Sequence, residues 1–282
     1  MKTNEQLIDD LLTLAFAEDI GDGDHTTLST IPADARGCQR LIIKEEGIIA
    51  GVEIARRVFE RLDPDLKMTV YINDGSRVKP GDVAFEVEGA VRSLLIAERT
   101  MLNIMQRMSG IATTTARYQD RLAGLKTKVL DTRKTTPGMR LLEKEAVKIG
   151  GGMNHRIGLF DMILIKDNHV DFAGGIPQAV ASAREYLKAK GKDLRIEVEV
   201  RNTPEIIQAI EAKADRIMLD NFTPEATAEA VKLIAGRAEI ESSGGITLDT
   251  LRAYGEAGVD FISVGALTHS VKSLDMSFKA AR

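Results

Sequence analysis

RIEVEVRNTPEIIQAIEAKADRIMLDNFTPEATAEAVKLIAGRAEIESS (Arg195–Ser243) repeats one rhythm three times. Short apolar runs at Arg195–Val200, Arg216–Asp220 and Ala238–Ser243 alternate with longer stretches whose apolar residues recur at three- and four-residue steps. The runs suit buried strands and the longer stretches suit amphipathic helices. Thr203-Pro204-Glu205 and Thr223-Pro224-Glu225 are N-cap and N1 signals, and Gly191, Gly236 and Gly258 fall at helix ends. Strands alternating with helices need crossover connections, and therefore a parallel sheet.

The rhythm extends in both directions. Lys128–Thr132, Asp161–Lys166 and Asp260–Gly265 are further strand-like runs, and Ile176–Gly191 and Thr247–Gly258 are further helical ones. Some six or seven such units predict an α/β barrel more readily than an open sheet. Before about residue 110 the chain is mixed. MKTNEQLIDDLLTLAFAEDIGDGD reads as an amphipathic helix leading into the loop GDGDHTT (Gly21–Thr27). Gln39–Lys44 and Gly47–Val52 are short β-branched runs, and Glu53–Leu62 has helical spacing. MTVYIN (Met68–Asn73) and VAFEVEG (Val83–Gly89) flank a turn-rich connection, and Val91–Tyr118 reads as a long helix with a break near Gly110.

Composition narrows the function classes. The chain has 282 residues, 44% hydrophobic and 28% charged, with a formal net charge of −4. This describes a folded globular protein with a sizeable core. An acidic balance with 8 Phe, 4 Tyr and no Trp is the reverse of a general nucleic-acid binder. A single cysteine, Cys38, excludes an intramolecular disulfide and a multi-cysteine metal cluster. No apolar stretch approaches a membrane span and no secretory leader is legible, so a soluble cytoplasmic protein is expected.

In α/β barrels the chemistry sits where the strands end. Here the ends carry Arg133 and Lys134, then Lys166, Glu199, Asp220, Ser243-Gly244-Gly245 and Gly265. Any one of these is an ordinary loop residue; sorted as cations, carboxylates and glycine turns they describe a ligand. Cations suit carboxylates or phosphates. Glu199 and Asp220 can share Mg²⁺ or grip ribose hydroxyls. Glycine turns with bare amides suit a phosphate. An anionic, phosphorylated substrate with a metal-bound leaving group follows, but not the reaction.

The stretch DTRKTTPGMRLLEKEAVKIGGGMNHRIGLFDMILIKDNH (Asp131–His169) resembles the signature of the quinolinate phosphoribosyltransferase family. ERTMLNIMQRMSGIAT (Glu98–Thr113), EDIGDGDHTT (Glu18–Thr27), IEVEV, MLDNF and ESSGGI resemble it too, so the likeness spans nearly the whole chain in order. It implies a type II phosphoribosyltransferase-like α/β fold, with an N-terminal α/β sandwich domain and an incomplete seven-stranded α/β barrel. The sandwich would take residues 1–110 with the tail 270–282, and the barrel residues 111–269. The resemblance further implies transfer of phosphoribosyl from phosphoribosyl pyrophosphate to quinolinate with decarboxylation, in a homodimer or larger assembly with a shared active site. Thr132, Arg133, Lys134, His155, Arg156 and Lys166 would bind quinolinate or nearby phosphates, and Arg99 would reach in from another subunit. Glu199 and Asp220 would face the ribose and its Mg²⁺, acting with Lys134 in catalysis. Ser243, Gly244, Gly245, Ser263 and Gly265 would surround the 5′-phosphate. The same architecture acting on another aromatic acid, as in a molybdenum-associated relative, is the alternative, and a non-catalytic binding protein on the same barrel is a third reading.

Several residues fall outside this scheme. Asp22, Asp24 and His25 have a metal-like spacing but lack further ligands, which favours a capped turn. Cys38 reads as a small buried residue. Met101, Met105 and Met108 have helical spacing and read as core or subunit contact.

Overall fold

The computed structural model describes residues 2–281. In chain order it contains α1 (Asn4–Ile20), α2 (His25–Thr30), β1 (Arg36–Ile43), β2 (Gly47–Ile48), α3 (Val52–Leu62), β3 (Lys67–Val70), β4 (Arg77–Val78), β5 (Val83–Ala90) and α4 (Val91–Arg121). Then follow β6 (Lys128–Leu130), α5 (Arg140–Ile149), β7 (Ile163–Ile165), α6 (Asp167–Ala173), α7 (Ile176–Lys190), β8 (Ile196–Val200), α8 (Thr203–Glu211) and β9 (Arg216–Asp220). The chain closes with α9 (Pro224–Ile234), β10 (Glu239–Ser243), α10 (Leu251–Glu256), β11 (Phe261–Ser263), α11 (Ala266–His269) and β12 (Met276–Ala280). Two compact units result: 1–116 with 135–151 and 267–282, and 117–134 with 152–266. The sequence pattern changes near residue 110 and the resemblance implies a tail from 270, whereas the contacts divide the chain after 116 and 266 and also cluster 135–151, which carries α5, with the first unit. No helix among the described residues is long and apolar enough to cross a membrane.

The first unit is built on an antiparallel sheet of order β12-β1-β5-β3. The C-terminal strand therefore pairs with β1, from Gln39 opposite Ala280 to Ile43 opposite Met276. Phe59 of α3, Phe85 of β5 and Phe278 of β12 meet with ring centroids 5.7 to 6.2 Å apart, a fully buried aromatic cluster. Helix α1 starts with a capping box between Thr3 and Gln6. It is less amphipathic than expected: only Leu12 is buried, while Leu7 and Leu14 are exposed. Its attachment is ionic, because Arg57 and Arg61 of α3 both reach Asp9, each at 3.0 Å.

Helix α4 is unbroken at Gly110, against the sequence expectation. The glycine serves close approach instead: a Cβ there would lie 2.2 Å from the Lys272 carbonyl oxygen. Met101, Met105 and Met108 are buried in the core. Arg107 donates to Glu143 Oε1 at 2.7 Å, Thr136 Oγ1 at 2.9 Å and the Thr268 carbonyl at 3.0 Å. One guanidinium thus ties three separate chain segments into the first unit. Asp24 caps α2 by accepting from the Thr27 amide at 3.0 Å, so the Asp22–His25 loop is the capped turn.

The second unit is a parallel sheet of order β6-β11-β10-β9-β8-β7, with helices in the crossovers. The seventh strand is reduced to one parallel bridge, Met153 with Leu130. The sheet is rolled. His155, two residues beyond that bridge, lies 3.0 Å from Glu197 of β8. In a flat sheet the four strands between them, five spacings of ~4.8 Å, would keep them about 24 Å apart. Strand β8 is buried along its whole length, as parallel strands with both faces covered must be. The caps agree with the sequence to within one residue: Thr223 caps α9, whereas Asn202, not Thr203, caps α8 by accepting from the Glu205 amide.

Gly110→Ala is expected to cost about 1–3 kcal/mol of stability through the clash with Lys272, measured as a lowered midpoint of thermal unfolding. An unchanged midpoint would show that the two segments separate freely.

Candidate active site

The site is assembled at the carboxyl edge of the parallel sheet because side chains near the strand ends leave the packed interior. Thr132, Arg133 and Lys134 follow β6; Thr132 is half-buried and both cations are exposed. His155 and Arg156 follow the Met153 bridge. Lys166 follows β7, Glu199 is the penultimate residue of β8, and Asp220 ends β9. Ser243 ends β10, Ser263 ends β11, and Gly265 lies two residues further on. All of these belong to the second unit. Arg99 is an exposed residue of α4 in the first unit.

Three strand ends form a contiguous row. Lys166 Nζ lies 2.9 Å from Glu199 Oε2, whose side chain is 8% exposed. Asp220 is held above the usual carboxylate range by partial burial and by the negative charge of Glu199. Asp220 pairs in register with Ser243, extending the row onto β10. Ser243 leads to Gly244 and Gly245, both at positive φ. At Gly244 only glycine fits, since a Cβ would fall 2.2 Å from Asn221 Oδ1. The glycine turn does not run straight into a helix, as the sequence suggested. A turn closed by Thr247 and Thr250 intervenes before α10.

A second group at the strand ends is cationic. Arg156 is half-buried; its guanidinium reaches the Met162 carbonyl at 3.4 Å. Burial and the neighbouring Arg133 charge both lower its pKa, so the two guanidinium groups repel one another. Glu197 and Asp161 offset this only in part, and two guanidinium groups held together suit an anion. His155 is 8% exposed, and the Asp131 carboxylate accepts its backbone amide at 2.9 Å. Its Nδ1 accepts from the Arg156 amide at 2.7 Å, and its Nε2 points to the barrel interior.

Two features escaped the sequence reading. Asn221, in the left-handed conformation at φ 57°, donates to Asp220 Oδ2 at 2.8 Å and orients that carboxylate. The signal was MLDNF, where Asn is among the few non-glycine residues tolerating such a backbone. The second is an interior ion cluster of Glu197, Arg216 and Glu241 beneath His155. The period-two pairs Glu197/Glu199 and Glu239/Glu241 were its signal, because alternate strand residues share a face. His169 is an N-terminal prop of α6, accepting from the Lys166 amide at 2.9 Å. Cys38 is partly buried, and burial raises its thiol pKa, so no thiolate nucleophile is prepared there.

Comparison with known proteins agrees over the whole architecture. Residues 24–109 match the model of the quinolinate phosphoribosyl transferase N-terminal domain, and residues 111–279 that of the C-terminal domain. A quinolinate phosphoribosyltransferase [decarboxylating] of Nicotiana tabacum is 46% identical over 95% of this chain and 81% of its own length. A probable nicotinate-nucleotide pyrophosphorylase [carboxylating] of Bacillus subtilis is 45% identical over 95% of this chain and 91% of its own. The crystal structure of NadC from Streptococcus pyogenes superposes with a TM-score of 0.93 at 40% identity, covering 100% of both chains. With both domains matched in order and this identity sustained along the chain, the protein belongs to the quinolinate phosphoribosyltransferase family.

Proposed function

We propose that the chain transfers the phosphoribosyl group of phosphoribosyl pyrophosphate to quinolinate and releases CO₂, giving nicotinate mononucleotide and pyrophosphate for de novo NAD biosynthesis. The observation that carries this reading is that the strand ends hold two sets of like charges. Arg133 and Arg156 repel one another in one set and Glu199 and Asp220 in the other, with Lys166 paired to Glu199. The cationic set suits the two carboxylates of quinolinate, and Arg99 would reach it from a second subunit of a homodimer or larger assembly. Thr132, Lys134 and His155 complete the binding set. The acidic set suits the ribose, and the Ser243-Gly244-Gly245 turn with Ser263 and Gly265 suits its 5′-phosphate.

In the first step the pyridine nitrogen forms a bond to the anomeric carbon as the bond to pyrophosphate breaks and its electrons leave with that group. Positive charge grows on the ribose, where Glu199 and Asp220 stabilise it electrostatically. Lys134 and Lys166 hold the anions in line. The alkylated nitrogen is then cationic, so the adjacent carboxylate departs as CO₂ and leaves its electron pair on a ring carbon, which takes a proton from solvent. Glu199 and Asp220 fit Mg²⁺: they are hard oxygen donors whose mutual repulsion raises Asp220, and a divalent ion relieves it. They would hold it directly or through water or substrate, and it would neutralise charge on the pyrophosphate. A single, partly buried free cysteine supports a cytoplasmic setting.

Purified protein given quinolinate, phosphoribosyl pyrophosphate and Mg²⁺ is expected to release CO₂, and to stop on omission of any one component or on chelation of the metal. Nicotinate in place of quinolinate should give no CO₂; failure with quinolinate but turnover of another acid would shift the substrate. Glu199→Ala should lower kcat on the order of 100-fold while quinolinate binding changes little; a pure KM effect would remove its transition-state role. Inactive Arg99→Ala and Lys166→Ala chains, mixed and allowed to exchange subunits, should regain part of the activity. Absence of recovery in proven mixed oligomers would count against a shared site.

A further inference from the structure

The interior of the second unit holds charge where an α/β barrel is ordinarily packed with branched apolar side chains. Glu197 and Glu241 are fully buried, and Arg216 is 8% exposed. Arg216 Nη1 lies 3.3 Å from Glu241 Oε2 and 3.9 Å from Glu197 Oε2, while its Nε and Nη2 bond Glu239 at 3.0 and 2.9 Å. Its guanidinium also lies 4.3 Å from the Phe261 ring centre. Above the two carboxylates sits His155, with Nε2 3.0 Å from Glu197 Oε2 and 3.4 Å from Glu241 Oε2.

Burying two carboxylates against one guanidinium leaves an uncompensated charge, which costs several kcal/mol by an order-of-magnitude reckoning. A protonated His155 supplies the missing charge: two carboxylates, one guanidinium and one imidazolium sum to zero. The same three side chains, His155, Glu197 and Glu241, have a metal-like grouping. Arg216 already occupies the counter-ion position, and a divalent cation in its company would leave the cluster positively charged.

We propose that Glu197 and Glu241 are positioning residues: they grip the His155 ring at Nε2 from inside the barrel and keep it cationic, so that Nδ1 becomes a charged donor for a carboxylate of the ligand. The Arg156 amide lies 2.7 Å from Nδ1, the contact that protonation of this nitrogen replaces. A protonated ring has no lone pair there and must turn that N–H to an anionic acceptor. Burial alone would lower the His155 pKa, but the facing carboxylates outweigh it and push it up to about 9. Desolvation and Glu241 push Glu197 upward, and the facing His155 and Arg216 oppose that shift. The groups facing the ring are Glu197 from β8, Arg216 from β9, Glu241 from β10, and Arg156 with its neighbour Arg133 from the mouth; Asp131 binds the His155 backbone. The kinetic consequence rests on the proposed function, whereas the state of the ring does not.

The test is the imidazole titration of the full-length protein by proton–nitrogen NMR, with His155 assigned by loss of its signals in His155→Gln. Wild-type His155 is expected to stay protonated from about pH 6 to 8, well above the ordinary midpoint of about 6.5. Glu241→Gln should lower that midpoint by about 1–3 pH units. At pH 8 it should raise the quinolinate KM about tenfold, with kcat and the phosphoribosyl pyrophosphate KM little changed. At pH 6 that KM defect should shrink, which a merely structural role would not produce. A wild-type midpoint near 6.5 overturns the proposal without any variant, so it remains decidable if Glu241→Gln does not fold. A folded Glu241→Gln with an unmoved midpoint overturns it as well. An inactive wild type with a raised midpoint would sink the proposed substrate and leave the gripping of His155 standing.

Discussion

Arg216 is the counter-charge on which the second unit is built. Strands β8 and β10 each place glutamates on alternate residues, and alternate residues of a rolled parallel sheet point into the barrel. Glu197 and Glu241 therefore cannot escape to water, and the guanidinium of Arg216 between them makes their burial tolerable. Arg suits this place better than Lys because its planar fork meets Glu239 and Glu241 at once and its face packs on Phe261. One alternate position beyond Glu197 comes Glu199, and two beyond Arg216 comes Asp220, where the strands end at the mouth. The carboxylates of the site and those of the core are one pattern continued across a change of solvent.

The charged mouth follows from this arrangement. Lys166 leans on Glu199, and Asp220 is pressed upward in pKa by the same neighbour. Arg133 and Arg156 repel each other as well. Within the described residues these tensions are relieved only in part, by Lys166 and Asn221 at the carboxylates and by Glu197 and Asp161 at Arg156. In the first unit the comparable organiser is Arg107, which gathers α4, the loop before α5 and the start of the C-terminal segment. There the charge is fully answered by buried Glu143, and the pair reads as structure.

Much of this was legible in the sequence where local rules dominate. Thr223-Pro224 begins α9 because capping chemistry is decided within four residues, and the strand ends were found because apolar runs stop where they meet polar loops. Gly110 misled because a glycine in a helix means either flexibility or close approach, and only the distant Lys272 decides between them. Helix α1 misled because its leucines look like a buried stripe, whereas two arginines of α3 hold it in place. The interior cluster was only half legible for a related reason: the period-two glutamates mark one face of β8 and of β10, but Glu197, Arg216 and Glu241 belong to separate strands and meet only after the sheet has rolled. His155 was picked out by its neighbours in GGGMNHR, but what binds its Nε2 could be learned only from the fold.

The position of β12 in the chain has a consequence for how the protein is made. The first unit's sheet is finished by residues 276–280, which are synthesised after the whole of the second unit. Until then β1 presents an open edge, and Phe59 and Phe85 lack Phe278. Pairings between residues so far apart in sequence are slow to form, and an open strand edge invites pairing with another chain. The order of emergence from the ribosome thus leaves the first unit's sheet to close last, after a second unit whose strands all lie nearer one another in sequence. The half-finished sheet is the part of a nascent chain most in need of protection.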